Sequence, residues 1–497
     1  MATDWEREVE GLTRRNAIGR GFAAAGALAL VCSFDHLPEK HPTVRYVRGR
    51  ARSAQASSGL FDPFQVDLPI SPVLRPVAST PKLDQYVVTM KPGTANILKG
   101  LPTPILGYNG IFPGPTVRAT RGRKVEVRQI NSSGRPLNVH LHGGVTEQNS
   151  DGYPLESIPN NDERTYHYAS AQRGATLWYH DHSHGDTAVT LFAGLAAFHI
   201  IRDPNEDQFD LPQGDYDVPI MLQDRAFNAD GSFRYRVNVD LGFRGDTLLV
   251  NGAIAPRMRV ERRLYRFRIL NSSNARPYTL ALGNNRQFIQ IASDGGLLPK
   301  PVVQTSISVQ PAERVDIVVD FRQFGVGSEV ILRNTVGEPS TTAVLRFDVV
   351  KGGAEEARVP KTLLPMEELP PVNAQRGFPL TFHGLGTAQW QINGQGFDPN
   401  RIDARPRQET SELWTFSNFS QRTHPMHLHG YHFQVQSVNG KPPAPGDAAW
   451  KDTVAVLPGS TVTIRPYFDY FPGKYVFHCH AAEHGDMSMM GQMQVSR

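Results

Sequence analysis

Tyr475-Val476-Phe477-His478-Cys479-His480-Ala481-Ala482-Glu483-His484-Gly485-Asp486-Met487-Ser488-Met489, near the C-terminus, begins as a short apolar strand and ends as a set of metal donors. The thiolate of Cys479, the imidazole of His484 and the thioether of Met489 are three of the four ligands of a type 1 (blue) copper, which takes one Cys, two His and a weak axial Met. His478 and His480 cannot share that metal, because neighbouring side chains on a strand point to opposite faces. They require a second metal site behind the first.

The closing strand has counterparts upstream. Trp178-Tyr179-His180-Asp181-His182 matches it with Asp181 in the place of Cys479, and Leu332-Arg333-Asn334 follows when Gly327 is set against Gly473. Asn109-Gly110, Asn251-Gly252 and Asn393-Gly394 recur at intervals of 142 residues, the mark of an internal repeat. A second landmark, Asn131-Ser132-Ser133, Asn271-Ser272-Ser273 and Asn418-Phe419-Ser420, recurs with it. Nine and eleven residues beyond these asparagines stand His140 and His142, Leu280 and Leu282, and His427 and His429. The middle copy is therefore expected to hold no metal there.

The remainder beyond Ser57 is rich in Gly and Pro, with short alternating strands such as 124–129 and 264–269 and no long 3.6-residue period, so the chain reads as all-β sandwich material. The expected division is a leader over 1–56, domains over 57–203, 204–352 and 376–497, and a linker over 353–375 that carries Gly352-Gly353 at its start and Pro370-Pro371 near its end. The middle domain is a spacer between the two that carry His-X-His pairs.

Composition narrows the function. Hydrophobic residues make up 39% and charged residues 20%, as in a globular chain. Of the formal charge of +4, the first 56 residues hold +3, which leaves too little for a nucleic-acid partner. Those residues contain Arg14-Arg15 ahead of the apolar run 22–31, resembling a twin-arginine export signal, and the run is too short to span a bilayer. Ala54-Gln55-Ala56 suits a signal peptidase. A periplasmic or extracellular protein without stable membrane insertion is expected. Removal of Cys32 with the leader leaves Cys479 as the one thiol, so no disulfide framework forms.

Eight histidines in four pairs, His140/His142, His180/His182, His427/His429 and His478/His480, suit a cluster of three coppers, since both members of a pair face one side of a strand and each can serve a different metal. His424 lies outside that alternation and completes the blue site with Cys479, His484 and Met489. His184 extends one pair as His182-Ser183-His184, but alignment with His478 and His480 favours His180 and His182. Met487, Met490 and Met493 read as packing residues, and His432 as an ordinary strand residue.

The segments His140-Leu141-His142-Gly143, Trp178-Tyr179-His180-Asp181-His182, His424-Pro425-Met426-His427-Leu428-His429-Gly430 and the C-terminal stretch together resemble the signature of the multicopper oxidases, over a span from about Pro69 to the C-terminus. Leu68-Pro69-Ile70, Gly143-Gly144-Val145 and Ser150-Asp151-Gly152 are most similar to the bacterial spore-coat laccase and bilirubin oxidase branch. The resemblance implies three consecutive cupredoxin-like Greek-key β-sandwich domains and four copper ions: one type 1, one type 2 at His140 and His427, and two type 3 at His142, His180, His182, His429, His478 and His480. It implies that a small aromatic reductant gives single electrons beside His484, that these pass through Cys479 to His478 or His480, and that dioxygen becomes two waters. Asp151 matches a carboxylate that helps to deliver protons. At Gly485 the chain departs from its relatives, which tend to carry an acidic residue there; Glu483 or Asp486 is expected to substitute.

The function expected is laccase-like oxidation of phenols and aromatic amines by a monomer. The alternatives are a specialised oxidase of bilirubin, an aminophenol or a metal ion, Cu(I) or Mn(II), and a copper-free structural protein of the same fold. Arg422 stands where bilirubin-specialised relatives carry Trp, which lowers that option.

Overall fold

Three buried asparagines turn the chain in the same way at three places. Asn131, Asn271 and Asn418 each end a strand, and each Oδ1 accepts the N–H two residues on, from Ser133, Ser273 and Ser420, at 3.1, 3.0 and 2.9 Å. Each carboxamide N–H₂ donates to one near and one distant carbonyl: Arg135 and Ile158, Arg276 and Val309, Arg422 and Val456. Such a side chain has both of its donor hydrogens and its acceptor oxygen paired inside the fold, which fixes the turn. Asn109, Asn251 and Asn393 all take positive φ and are followed by glycines that do the same, a pair of left-handed residues that Asn-Gly tolerates at low cost.

The computed structural model describes residues 44–46, 63–383 and 389–497. Arg14-Arg15, the apolar run, Cys32 and Ala54-Gln55-Ala56 lie outside the described residues. Val44–Tyr46, within the stretch read as leader, pairs in parallel with Phe233–Tyr235.

The protein is mostly strand, and among the described residues six of the seven sheets fall into three pairs, the seventh being the two-stranded pairing of Val44–Tyr46 with Phe233–Tyr235. In the first, a sheet built on Leu83–Leu98 and Lys124–Asn131 packs against one formed by Val117–Thr120, Ala196–Arg202, Ala175–His180 and His140–His142. Val88, Val125, Leu141, Leu177 and Ile200 fill the space between them. In the second, a seven-stranded sheet containing Leu264–Asn271 and a five-stranded one containing Tyr278–Leu282 enclose Phe267, Ile317, Leu280 and Phe347. In the third, a six-stranded sheet containing Ser411–Asn418 meets a four-stranded one of Thr453–Val456, His424–Leu428, Gly473–Cys479 and Met490–Val495, around Trp414, Ile464, Phe477 and Cys479. Each copy also carries the parallel crossover of a cupredoxin-like sandwich: Leu83–Leu98 beside Lys124–Asn131, Asp217–Arg225 beside Leu264–Asn271, Val372–Phe382 beside Ser411–Asn418.

The repeat frame of the middle copy needs one correction. His140 pairs with His180 and His427 with His478, but the matching pair is Ala281 with Arg333, not Leu280 with Leu332. Leu280 and Leu282 point into the core of their own copy. The segment after Asn271 is one residue longer than after Asn131 or Asn418, and a one-residue shift moves a strand's side chains to the other face. Ala281 and the exposed Arg333 still offer no metal donor at the histidine positions.

Residues 353–371 form no strand, and Val372–Phe382 begins inside the stretch read as linker. Leu363 anchors this connection among Leu211, Leu264 and Val318. Among the described residues no helix is long and apolar enough to cross a membrane.

Candidate metal centre

The strand Gly473–Cys479 delivers two groups in opposite directions. Cys479 Sγ lies 3.4 Å from His424 Nδ1 and 3.7 Å from His484 Nδ1, and those two nitrogens are 3.3 Å apart. Met489 is buried beside them, its N–H donating to the His484 carbonyl and its carbonyl accepting from the Cys479 N–H, each at 3.0 Å. Outer partners settle which ring nitrogens are bare. Ser420 Oγ donates to Asn418 and so accepts the His424 Nε2–H at 2.7 Å, while the Asp240 carbonyl accepts the His484 Nε2–H at 3.0 Å. Both Nδ1 atoms therefore present lone pairs to the sulfur.

On the other face of the strand, His478 Nε2 lies 3.0 Å from both His182 Nε2 and His429 Nε2, and His140 Nε2 lies 3.3 Å from His427 Nε2. His140, His180, His427 and His478 donate their Nδ1–H to the carbonyls of Asp151, Asp181, Asp452 and Cys479 at 2.6, 2.8, 2.9 and 3.0 Å. A carbonyl can only accept, so each of these rings turns a bare Nε2 inward. His142 is reversed, donating from Nε2 to Asp452 Oδ1 at 3.0 Å.

This arrangement fits a metal. The bare Nε2 atoms of His140 and His427, 3.3 Å apart, and of His429 and His478, 3.0 Å apart, repel unless a cation lies between them. Within the cluster, His142 Nδ1, His180 Nε2, His182 Nδ1 and both ring nitrogens of His480 are buried without a hydrogen-bond partner. Burial brings the imidazoles of His180 and His478 to about 3 and that of His484 to about 4, which keeps them neutral, the form that binds metal. Burial also pushes the Cys479 thiol up, so its thiolate needs a cation beside it. Imidazole and thiolate donors of this kind suit copper.

All ten histidines named from the sequence as ligands therefore sit in these two groups. His184 is exposed beside Phe397, which leaves His182 as the inward member. His432 donates to the Gly143 carbonyl, and Met490 and Met493 are packed in cores. Asp151 accepts the His429 Nδ1–H on Oδ2 at 2.8 Å while its carbonyl holds His140. Glu483 Oε1 accepts from Tyr235 at 2.8 Å and Asn274 at 2.9 Å, and its Oε2 is buried without a hydrogen-bond partner. Asp486 accepts the N–H groups of Thr187 and Ala188 at the start of the helix Thr187–Ala193. A Cβ added at Gly485 would come 3.2 Å from the Cys479 carbonyl.

Asp452 was not foreseen. It holds His142 through its carboxylate and His427 through its carbonyl, and Arg314 grips it at 2.8 and 2.5 Å. Burial raises its carboxyl, but Arg314 and His142 outweigh that and hold it well below the usual carboxylate range. Arg314, itself in the middle copy, also donates to the Thr176 carbonyl, tying all three copies together at the cluster. The one local signal was Lys451-Asp452, a charged pair in an otherwise apolar run.

Family models described as multicopper oxidase match residues 89–206 and 372–497. A laccase of Bacillus subtilis is 37% identical, covering 86% of this chain and 98% of its own length. A bilirubin oxidase of Albifimbria verrucaria is 33% identical, covering 91% and 85%. The crystal structure of a laccase from Pediococcus acidilactici superposes with a TM-score of 0.81 at 32% identity, covering 88% of this chain and 96% of that one.

Proposed function

The chain belongs to the multicopper oxidase family, and from that premise we propose that it is a laccase-type oxidase of phenols and aromatic amines with dioxygen as acceptor. In this reading His424, Cys479, His484 and Met489 hold a type 1 copper, His140 and His427 a type 2 copper, and His142, His180, His182, His429, His478 and His480 a type 3 pair, about four ions per chain. Copper so held supplies one-electron oxidation of the donor at the thiolate end and reduction of dioxygen to two waters at the histidine end.

The observation that carries the reading is the joint between the two groups. Cys479 faces His424 and His484, while His478, one residue earlier, faces His182 and His429. The His478 Nδ1–H also donates to the Cys479 carbonyl at 3.0 Å. An electron leaving the sulfur thus has one residue of backbone and one hydrogen bond to cross. Asp151 orients His140 and His429, and we assign it proton delivery to the dioxygen side. Glu483 holds the helix Ala482–Asp486, and with it His484, against Tyr235 and Asn274.

The proposal extends to a leader over 1–56 exporting a monomer, and to domains over 57–203, 204–352 and 376–497. Oxygen uptake by copper-loaded protein, compared for a diphenol, bilirubin, Cu(I) and Mn(II), tests the function. The diphenol is expected to be oxidised fastest. Uptake with bilirubin alone would move the protein to the second reading, which the similarity to a bilirubin oxidase favours. No uptake with any donor would leave a structural member of the fold.

A further inference from the structure

The edge of His484 at which a donor would deliver its electron is covered. Residues 236–242, between the strands Phe233–Tyr235 and Thr247–Val250, pass over it: the Asp240 carbonyl takes the His484 Nε2–H at 3.0 Å, and the Val239 carbonyl takes the Trp390 Nε1–H at 2.6 Å. The Trp390 ring lies 4.1 Å from that of His484, centroid to centroid. His484 is left 2% exposed.

This strap has firm ends and a thin middle. Tyr235, at one end, is buried and donates to Glu483; Phe243, at the other, is buried against Tyr235 and Phe192. Between them Val237 is 47% and Leu241 39% exposed, and the backbone is held locally by Asn238, whose Oδ1 accepts the N–H groups of Asp240 at 3.1 Å and Leu241 at 2.9 Å. Across from it Arg422 grips Asp240 twice, Nε to Oδ1 at 2.8 Å and Nη2 to Oδ2 at 2.5 Å. The two side chains are 34% and 46% exposed, so water competes for the pair.

We propose that residues 236–242 gate the approach of reducing substrates to His484, and that the Asp240–Arg422 ion pair is the latch that sets how often the gate opens. The inference rests on the laccase-type reading. With the strap closed, a planar aromatic donor is held a backbone's thickness from the imidazole edge; with the strap lifted it reaches van der Waals contact. Loss of the latch should therefore favour large donors over small ones, since a large ring system needs the wider opening.

The test compares copper-loaded wild type with Arg422→Ala and Arg422→Lys by two readouts. Amide hydrogen exchange at Asp240 and Leu241 should quicken about two- to fivefold in Arg422→Ala, the range for a surface ion pair. The kcat/KM for a bulky bisphenol should rise by a similar factor, that for hydroquinone by less, with the KM for dioxygen and the thiolate–copper absorption unchanged. Arg422→Lys should return both towards wild type. Trp390→Phe, which keeps the ring and loses the bond to Val239, should change both in the same direction as Arg422→Ala. Faster exchange with an unchanged ratio of bulky to small donors, or unchanged exchange in both Arg422→Ala and Trp390→Phe, would overturn the gate. Exchange needs no donor, so failure of the unaltered protein to oxidise any phenol would count against the laccase-type reading separately.

Discussion

Asp181, Asn334 and Cys479 stand at one position of a strand repeated three times, and their side chains meet different company. Asp181 accepts from the Asn138 N–H at 2.7 Å, Ser183 Oγ at 2.7 Å and Thr190 Oγ1 at 2.6 Å. Asn334 accepts from the Thr279 N–H at 3.0 Å. Cys479 faces two bare imidazole nitrogens. The donors Asn138 and Thr279 each lie two residues before the one paired with the closing strand, His140 and Ala281. In the third copy that place, two before His427, belongs to Pro425, which has no N–H to give. One backbone thus makes a clamp where a donor is supplied and leaves a sulfur free for metal where it is withheld.

The largest effect expected from breaking this contrast is at the thiolate. Cys479→Ser should lower donor kcat/KM by at least about a thousandfold, ~4 kcal/mol on the barrier, as read by oxygen uptake. A smaller loss would mean that electrons bypass residue 479. Asp181→Ala strands several buried donors and should cost about 2–4 kcal/mol in urea unfolding; the companion Asp181→Cys should bind no blue copper, and a blue band from it would show that the thiol alone makes the site. Asp452→Asn weakens the grip on His142 and should reduce copper retention or oxidation about 10–100-fold, with dialysis against a chelator as the measurement.

The finest adjustments act on the sulfur and its axial neighbour. Pro425→Ala restores an N–H beside Cys479, and Met489→Leu removes an axial donor; each should raise the potential of the blue site. A shift of about 60 mV corresponds to a tenfold change in the one-electron equilibrium. Unchanged potentials in redox titration would remove Pro425 and Met489 from the account of the site.

Much of this was legible because it is local. His-X-His on a strand, the recurring Asn-Gly turns, and Asp181 opposite Cys479 all follow from short-range alternation and spacing. The single extra residue after Asn271 hid the true register of the middle copy, because a one-residue slip is silent in sequence and decisive in space. Asp452 and Arg314, 310 and 172 residues from His142, carry no local mark of their partnership. Nor does the strap at 236–242, which meets His484 only because three sandwiches close on one another. Glu483 was legible as a carboxylate beside a ligand, but its partners Tyr235 and Asn274 come from the middle copy, and those decide what it does.

Within one shared frame Cys479, facing His424 and His484, makes a metal site where Asp181 and Asn334 make a clamp. Metal analysis of the fully loaded protein beside its Cys479→Ser variant tests it most directly. About four coppers should bind to the former and about three to the latter, with the histidine cluster intact. Equal counts in the two proteins, or one or two coppers in the loaded wild type, would contradict it.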